Sequence, residues 1–130
     1  MRSALLADAV LVLHGLFIAW VVLGGFAVWW RAGLAWLHLP AVVWGVWVEC
    51  SGSLCPLTPL EQSLRRAAGQ AGYEGGFVEH YLGALIYPEG LTPGLQVVFG
   101  AAVLVINLVL YAIAALRVIS RRRRHQETAP

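Results

Sequence analysis

The stretch Glu49-Cys50-Ser51-Gly52-Ser53-Leu54-Cys55-Pro56-Leu57-Thr58-Pro59-Leu60-Glu61 decides how this chain folds. It closes an apolar segment that begins near Gly33, and it holds both cysteines. It also carries a helix-start pattern: Thr58 as N-cap, Pro59 at the first helical position, and Glu61 three residues after the cap. Within thirteen residues the chain is expected to leave one helix, turn, and start another.

The segments on either side explain why that turn matters. The chain has 130 residues, 59% of them hydrophobic and 12% charged, with a mean hydropathy of +0.71. A soluble domain carries roughly 25% charged residues, and a chain this short cannot hide so much apolar surface from water. We therefore expect one all-α integral membrane domain over 1–119, with spanning helices near 4–30, 33–54 and 93–119. An outer cap occupies 56–92, and a basic tail follows over 120–130. The first segment is too long for the apolar core of a signal peptide, and Asp8 interrupts it early. Trp29, Trp30 and Trp36 bracket Arg31, as at a membrane interface. A short turn there makes the first two helices antiparallel neighbours. Pro40 either starts the second helix or kinks it, and His38 reads as an interfacial histidine.

Between Pro56 and Thr92 the composition changes. Leu57, Leu60, Leu64 and Ala67 or Ala68 share one helical face, with Glu61 and Arg65 opposite them, so a short amphipathic helix is expected at the surface. A glycine-rich loop over Gly72–Gly76 precedes a second pattern, Phe77 to Tyr87. It is too short to span alone and fits an interfacial or re-entrant helix. The alternative is that it crosses, giving four spans. Thr92-Pro93 repeats the cap-then-proline start for the last helix.

Charge sets the expected orientation. Five of the nine arginines lie between Arg117 and Arg124, and there is no lysine. Basic segments stay inside, so the C-terminus is expected in the cytoplasm and the 50–92 region in the periplasm of a multi-pass inner-membrane protein. The cluster Arg121, Arg122, Arg123 and Arg124 is expected to face anionic membrane lipid. No phosphate-cradling loop or soluble basic domain is present, which argues against nucleic acid as a partner.

The ionisable groups inside apolar sequence are the functional candidates. In a hairpin turning near Ala32, residue i lies level with about residue 64 − i. His14 then falls beside Glu49 and Cys50, and His38 lies toward the other end. His14, Glu49 and, through its own segment, His80 can converge on the outer half. That set supports a structural polar pair, a binding site for haem, a metal or a quinone, or a proton path. Cys50 and Cys55 either bridge in an oxidising compartment or remain two buried thiols. No nucleophile elbow or zinc-ligand spacing appears, so no catalytic residue is assigned. Two functional readings follow. One is an accessory or assembly subunit packed against a larger membrane complex through its tryptophans and small-residue patches such as Gly24-Gly25. The other is a redox or cofactor-binding membrane protein using His14, Glu49 and His80.

A resemblance is carried by His38, Glu49, the run Cys55-Pro56-Leu57-Thr58-x-Leu60-Glu61, Gly69-Gln70, Tyr73-x-Gly75-Gly76-Phe77-Val78-Glu79-His80-Tyr81, and Tyr87. The chain resembles the bacterial integral membrane family catalogued as domain of unknown function 2784. The resemblance covers all but the basic tail. The helix-start and cysteine pattern gives Cys50, Cys55, Thr58 and Glu61 structural roles; the resemblance implies a membrane fold and marks Glu49, Cys55, Glu61 and His80 as a set. It implies no activity.

Overall fold

Among the described residues, four α-helices account for most of the chain, and three of them are long and apolar enough to cross a membrane. The computed structural model describes residues 1–83 and 92–127. Helix α1 spans Arg2–Trp30, α2 Ala35–Ser51, α3 Leu57–Ala67 and α4 Pro93–Glu127. Helix α1 turns into α2 through Arg31 and a single 3₁₀ turn, Ala32–Leu34, so the two are antiparallel as expected. The three long helices pack against one another, and α3 lies along α1 as a cap.

Helix α2 stops three residues before the expected Leu54, because Gly52 adopts φ 65° and ends it in the left-handed region. Only glycine enters that region without steric cost. Pro40 lies inside α2. It costs the helix one backbone bond, to the carbonyl of Trp36, near the start of the helix, where Trp36 is exposed.

The core is thin, as befits a bundle solvated by lipid. Ala7, Val21, Val28, Val42 and Leu110 are its buried hydrophobic members. Close helix approach is set by glycines. A side chain at Gly24 would collide with His38, and one at Gly25 with Leu110. The Gly24-Gly25 patch, read from sequence as a surface for partners, is thus occupied inside the bundle. Gly100 gives the same close approach between α4 and Cys50 of α2.

His38 is not interfacial. It is fully buried, with Nδ1 3.0 Å from the Tyr111 hydroxyl and Nε2 3.1 Å from the Trp20 carbonyl. A single imidazole therefore ties all three long helices together, and its polar atoms are satisfied, which is what burial demands. Asn107, a turn before Tyr111 on α4, also links helices. It donates from Nδ2 to the carbonyls of Val21 and Val103 at 3.0 and 2.9 Å.

Helix α4 runs through the arginine cluster to Glu127, so Arg121–Arg124 are helical. Its 35 residues measure about 52 Å at 1.5 Å per residue. That exceeds the roughly 30 Å apolar thickness of a bilayer.

Candidate functional site

The cap is built around one carboxylate. Helix α3 begins at Leu57, one residue before the expected N-cap, and no side chain caps it. Thr58 instead uses its backbone N–H on the Cys55 carbonyl at 2.9 Å. The capping box read from Thr58 and Glu61 is therefore absent. The reason is that Glu61 is committed elsewhere. Tyr73 donates its hydroxyl to Glu61 Oε2 at 2.8 Å, Tyr81 donates to Oε1 at 3.0 Å, and Arg65 Nε donates to Oε1 at 2.8 Å.

Glu61 is fully buried, and a buried charge persists only when paired and hydrogen-bonded. Arg65 supplies the countercharge and reaches on to Asp8 of α1 at 3.5 Å. Burial and the hydrogen bonds to Glu61 push both tyrosine hydroxyls above the usual phenol range. The hydrogen bond to Glu61 likewise raises Arg65.

The Glu61 face of α3 thus meets the bundle. Thr58 and Glu61 point inward, whereas Leu60 is 47% exposed. The two faces are legible in the sequence, but not which of them meets the bundle. Leu57 and Leu64, on the other face, are half-buried.

His14, Glu49 and Thr58 line a cavity of about 430 Å³ under the cap, between α1, α2, α3 and the start of α4. His14 and Thr58 are buried, and Glu49 is half-buried. Nδ1 of His14, Oε2 of Glu49 and Oγ1 of Thr58 have no hydrogen-bond partner among the described residues. Phe77 lies against the His14 ring with centroids 4.2 Å apart. Phe17, Ile18, Trp44 and Phe77 give the cavity apolar walls, and Gln96 adds an amide from α4. The hairpin register thus places His14 and Glu49 in one site, as the level-by-level reading expected.

His80 stands apart from that cavity. It is exposed and stacks flat on Tyr73, centroids 4.0 Å apart and planes 13° from parallel. It sits in a π-helical turn, Val78–Gly83, that opens the second short pattern. The rest of that pattern, through Leu85, Ile86 and Tyr87, lies outside the described residues. Among the described residues no three His, Cys, Asp or Glu side chains are grouped as metal ligands.

The cysteines are both free, so the possible Cys50–Cys55 disulfide is not formed. Cys50 is exposed in the last turn of α2, and Cys55 is half-buried at the cavity wall. The left-handed turn at Gly52 separates them. Neither cysteine is the fully buried thiol that was the other expectation.

Several residues of the site carried no sequence signal. Tyr73 and Tyr81 enter the sequence reading only through the family resemblance, and their common acceptor is twelve and twenty positions away. Gln96 reads as a polar exception in an apolar helix, and only the crossing of α4 over α2 brings it to the cavity.

Three helices long and apolar enough to span a membrane, a clamped cap and a half-open polar cavity beneath it define a small α-helical bundle of membrane-protein type with a site at one end. The chain matches the model of the family described as protein of unknown function (DUF2784) over residues 4–112, and belongs to that family. No curated relative and no solved structure matches the chain.

Proposed function

We propose that this protein binds a small lipid-soluble molecule with a compact hydrogen-bonding head, seated beneath the cap. The head meets His14, Glu49 and Thr58, and the apolar body lies against Phe17, Ile18 and Trp44. The observation that carries this reading is that three polar side chains with unpartnered atoms line one cavity. Leaving such groups unsatisfied costs about 1–3 kcal/mol each, and a ligand head recovers that cost. The cavity volume of about 430 Å³ falls in the ordinary range for small-molecule sites, roughly 300–1,000 Å³.

A quinone ring on an apolar body, whose carbonyls accept from the Thr58 hydroxyl and His14 Nδ1–H and whose reduced hydroxyl can donate to Glu49 Oε2, matches this chemistry better than a haem or a metal ion. The haem or metal set read from the sequence includes His80, which stacks on Tyr73 outside the cavity. A lipid headgroup shares the quinone's chemistry. The test is solvent extraction and mass spectrometry of protein purified from native membranes, with Val48→Phe, which fills the cavity, as the comparison. Near-stoichiometric ligand in the wild type and its loss in the variant support the reading. Equal extracts from both proteins reject it.

A place in a larger membrane assembly is the second reading. It draws on Trp44 and Trp47, which form an exposed pair on α2 with ring centroids 5.4 Å apart. Aromatic side chains on an outer helix face suit a helix–helix contact as well as lipid, and the mass of the particle in mild detergent separates the two. In either reading the protein sits in the bacterial inner membrane with its arginine-bearing end in the cytoplasm and its cap in the periplasm, supported by the arginine excess at one end of the bundle.

A further inference from the structure

At the end of the bundle opposite the cap, α1 and α4 leave a second groove of about 580 Å³. Gln96 at the cap and Arg117 in this groove are separated by about 30 Å along α4, so the two sites are independent. Trp29, Trp30 and Tyr111 line the groove, and Arg117, Arg121 and Arg122 border it. Its chemistry is that of an interfacial site with an apolar floor, an aromatic rim and a cationic edge.

Two features make the edge more than a solvated charge run. The Arg117 guanidinium is held over the Trp29 ring at 4.4 Å, and the Trp29 indole is itself fixed by donating to the Leu110 carbonyl at 3.1 Å. One cation is therefore pre-positioned at the groove. The other feature is the absence of local countercharge in the sequence. No Asp or Glu occurs over residues 9–48 or 90–122, the stretches that carry the groove; Glu127 follows at the end of α4. Arg31, Arg117, Arg121 and Arg122 thus gather there with no acid on either stretch.

We propose that this groove is a binding site for an anionic phospholipid, its phosphate at Arg117, Arg121 and Arg122 and its acyl chains along the Trp29 side of the groove. Charge complementarity selects this occupant, because a basic pocket between spanning helices at the cytoplasmic interface is where anionic headgroups are recognised. The planar guanidinium forks suit phosphate oxygens. A zwitterionic lipid brings its own cation to the same place and gains less.

The test is native mass spectrometry of the full chain in mild detergent with an equimolar mixture of phosphatidylglycerol and phosphatidylethanolamine. The wild type is expected to retain phosphatidylglycerol in preference. Arg117→Gln with Arg121→Gln should lower that retention on the order of tenfold. Arg123→Gln with Arg124→Gln removes the same charge from residues that do not line this groove, and should lower it by less than about threefold. Ala115→Phe, which fills the groove and leaves the charge unchanged, should lower it as the first pair does. Equal retention of the two lipids by the wild type overturns the proposal. So does an equal loss in both arginine pairs, or full retention by Ala115→Phe.

Discussion

The Tyr73 hydroxyl donates to Oε2 of the fully buried Glu61 at 2.8 Å, across twelve positions of chain. This bond closes the loop after α3 back onto the helix, and with Tyr81 and Arg65 it gives the carboxylate three donors. The cap is therefore a polar clamp laid on an apolar bundle. Its integrity depends on a group that membrane sequence ordinarily avoids.

Removing that group should release the cap. Glu61→Ala leaves Arg65 and two phenols without their acceptor, and loss of one partner of a buried ion pair costs about 3–5 kcal/mol. Tyr73→Phe removes a single bond to a charged acceptor and should cost about 1.5–3 kcal/mol. Alkylation of the half-buried Cys55 in a Cys50→Ser background measures the opening. Faster labelling is expected in the order Glu61→Ala, Tyr73→Phe, wild type.

The same clamp should fail in alkali. Tyr73 and Tyr81 titrate above the ordinary phenol value of about 10 in the folded state, so the folded cap holds those protons more tightly than the unfolded one. Their contribution is fully present below about pH 10 and is lost as pH rises above it toward the folded values. Ultraviolet absorbance of tyrosinate, followed with near-ultraviolet circular dichroism, should show ionisation and loss of cap structure together. Tyr73→Phe should diminish that transition.

At the other buried imidazole the prediction is steric. A methyl group at Gly24 would fall 2.5 Å from His38 Cδ2, on a ring already fixed by Trp20 and Tyr111. Gly24→Ala should therefore destabilise the bundle by about 1–3 kcal/mol, the usual range for overpacking. Gly15→Ala is the control, since that position has open space around it. Thermal unfolding in detergent compares the two.

Cys50 offers a readout of topology. It is exposed near the cap end, and the arginine end of α4 lies at the opposite end of the bundle. A membrane-impermeant maleimide applied to intact spheroplasts should label Cys50 but not a cysteine introduced at Ser120. Labelling of both from one side contradicts the orientation. Because both thiols are free, reductant should leave the melting temperature unchanged.

Much of this fold is legible in the chain itself. The long apolar runs, Arg31 between tryptophans and the hairpin register that sets His14 beside Glu49 all depend on spacing along one or two adjacent helices. What is not legible depends on a third element. His38 reads as interfacial because its partner Tyr111 lies 73 positions away on a helix whose crossing angle no local pattern encodes. Thr58 and Glu61 match a capping box, and that local pattern loses to a tertiary one in which Glu61 receives two tyrosines and an arginine. The face of α3 escapes a sequence reading for the same reason. A period of 3.6 identifies two faces, and in a membrane it is the environment that decides which is outer.

The central claim is that the cavity under the cap holds a ligand at His14, Glu49 and Thr58, and it is tested most directly by a titration. Tryptophan fluorescence, with Trp44 at the cavity wall, should be quenched saturably by a short-chain quinone analogue added to the detergent-solubilised protein. Thr58→Val, which deletes the unpartnered hydroxyl at nearly constant volume, should weaken that binding about five- to tenfold, the loss of one hydrogen bond of roughly 1 kcal/mol. Saturable quenching that shifts in Thr58→Val and disappears in Val48→Phe is the result predicted. Quenching that is linear in concentration, or identical in all three proteins, would contradict it.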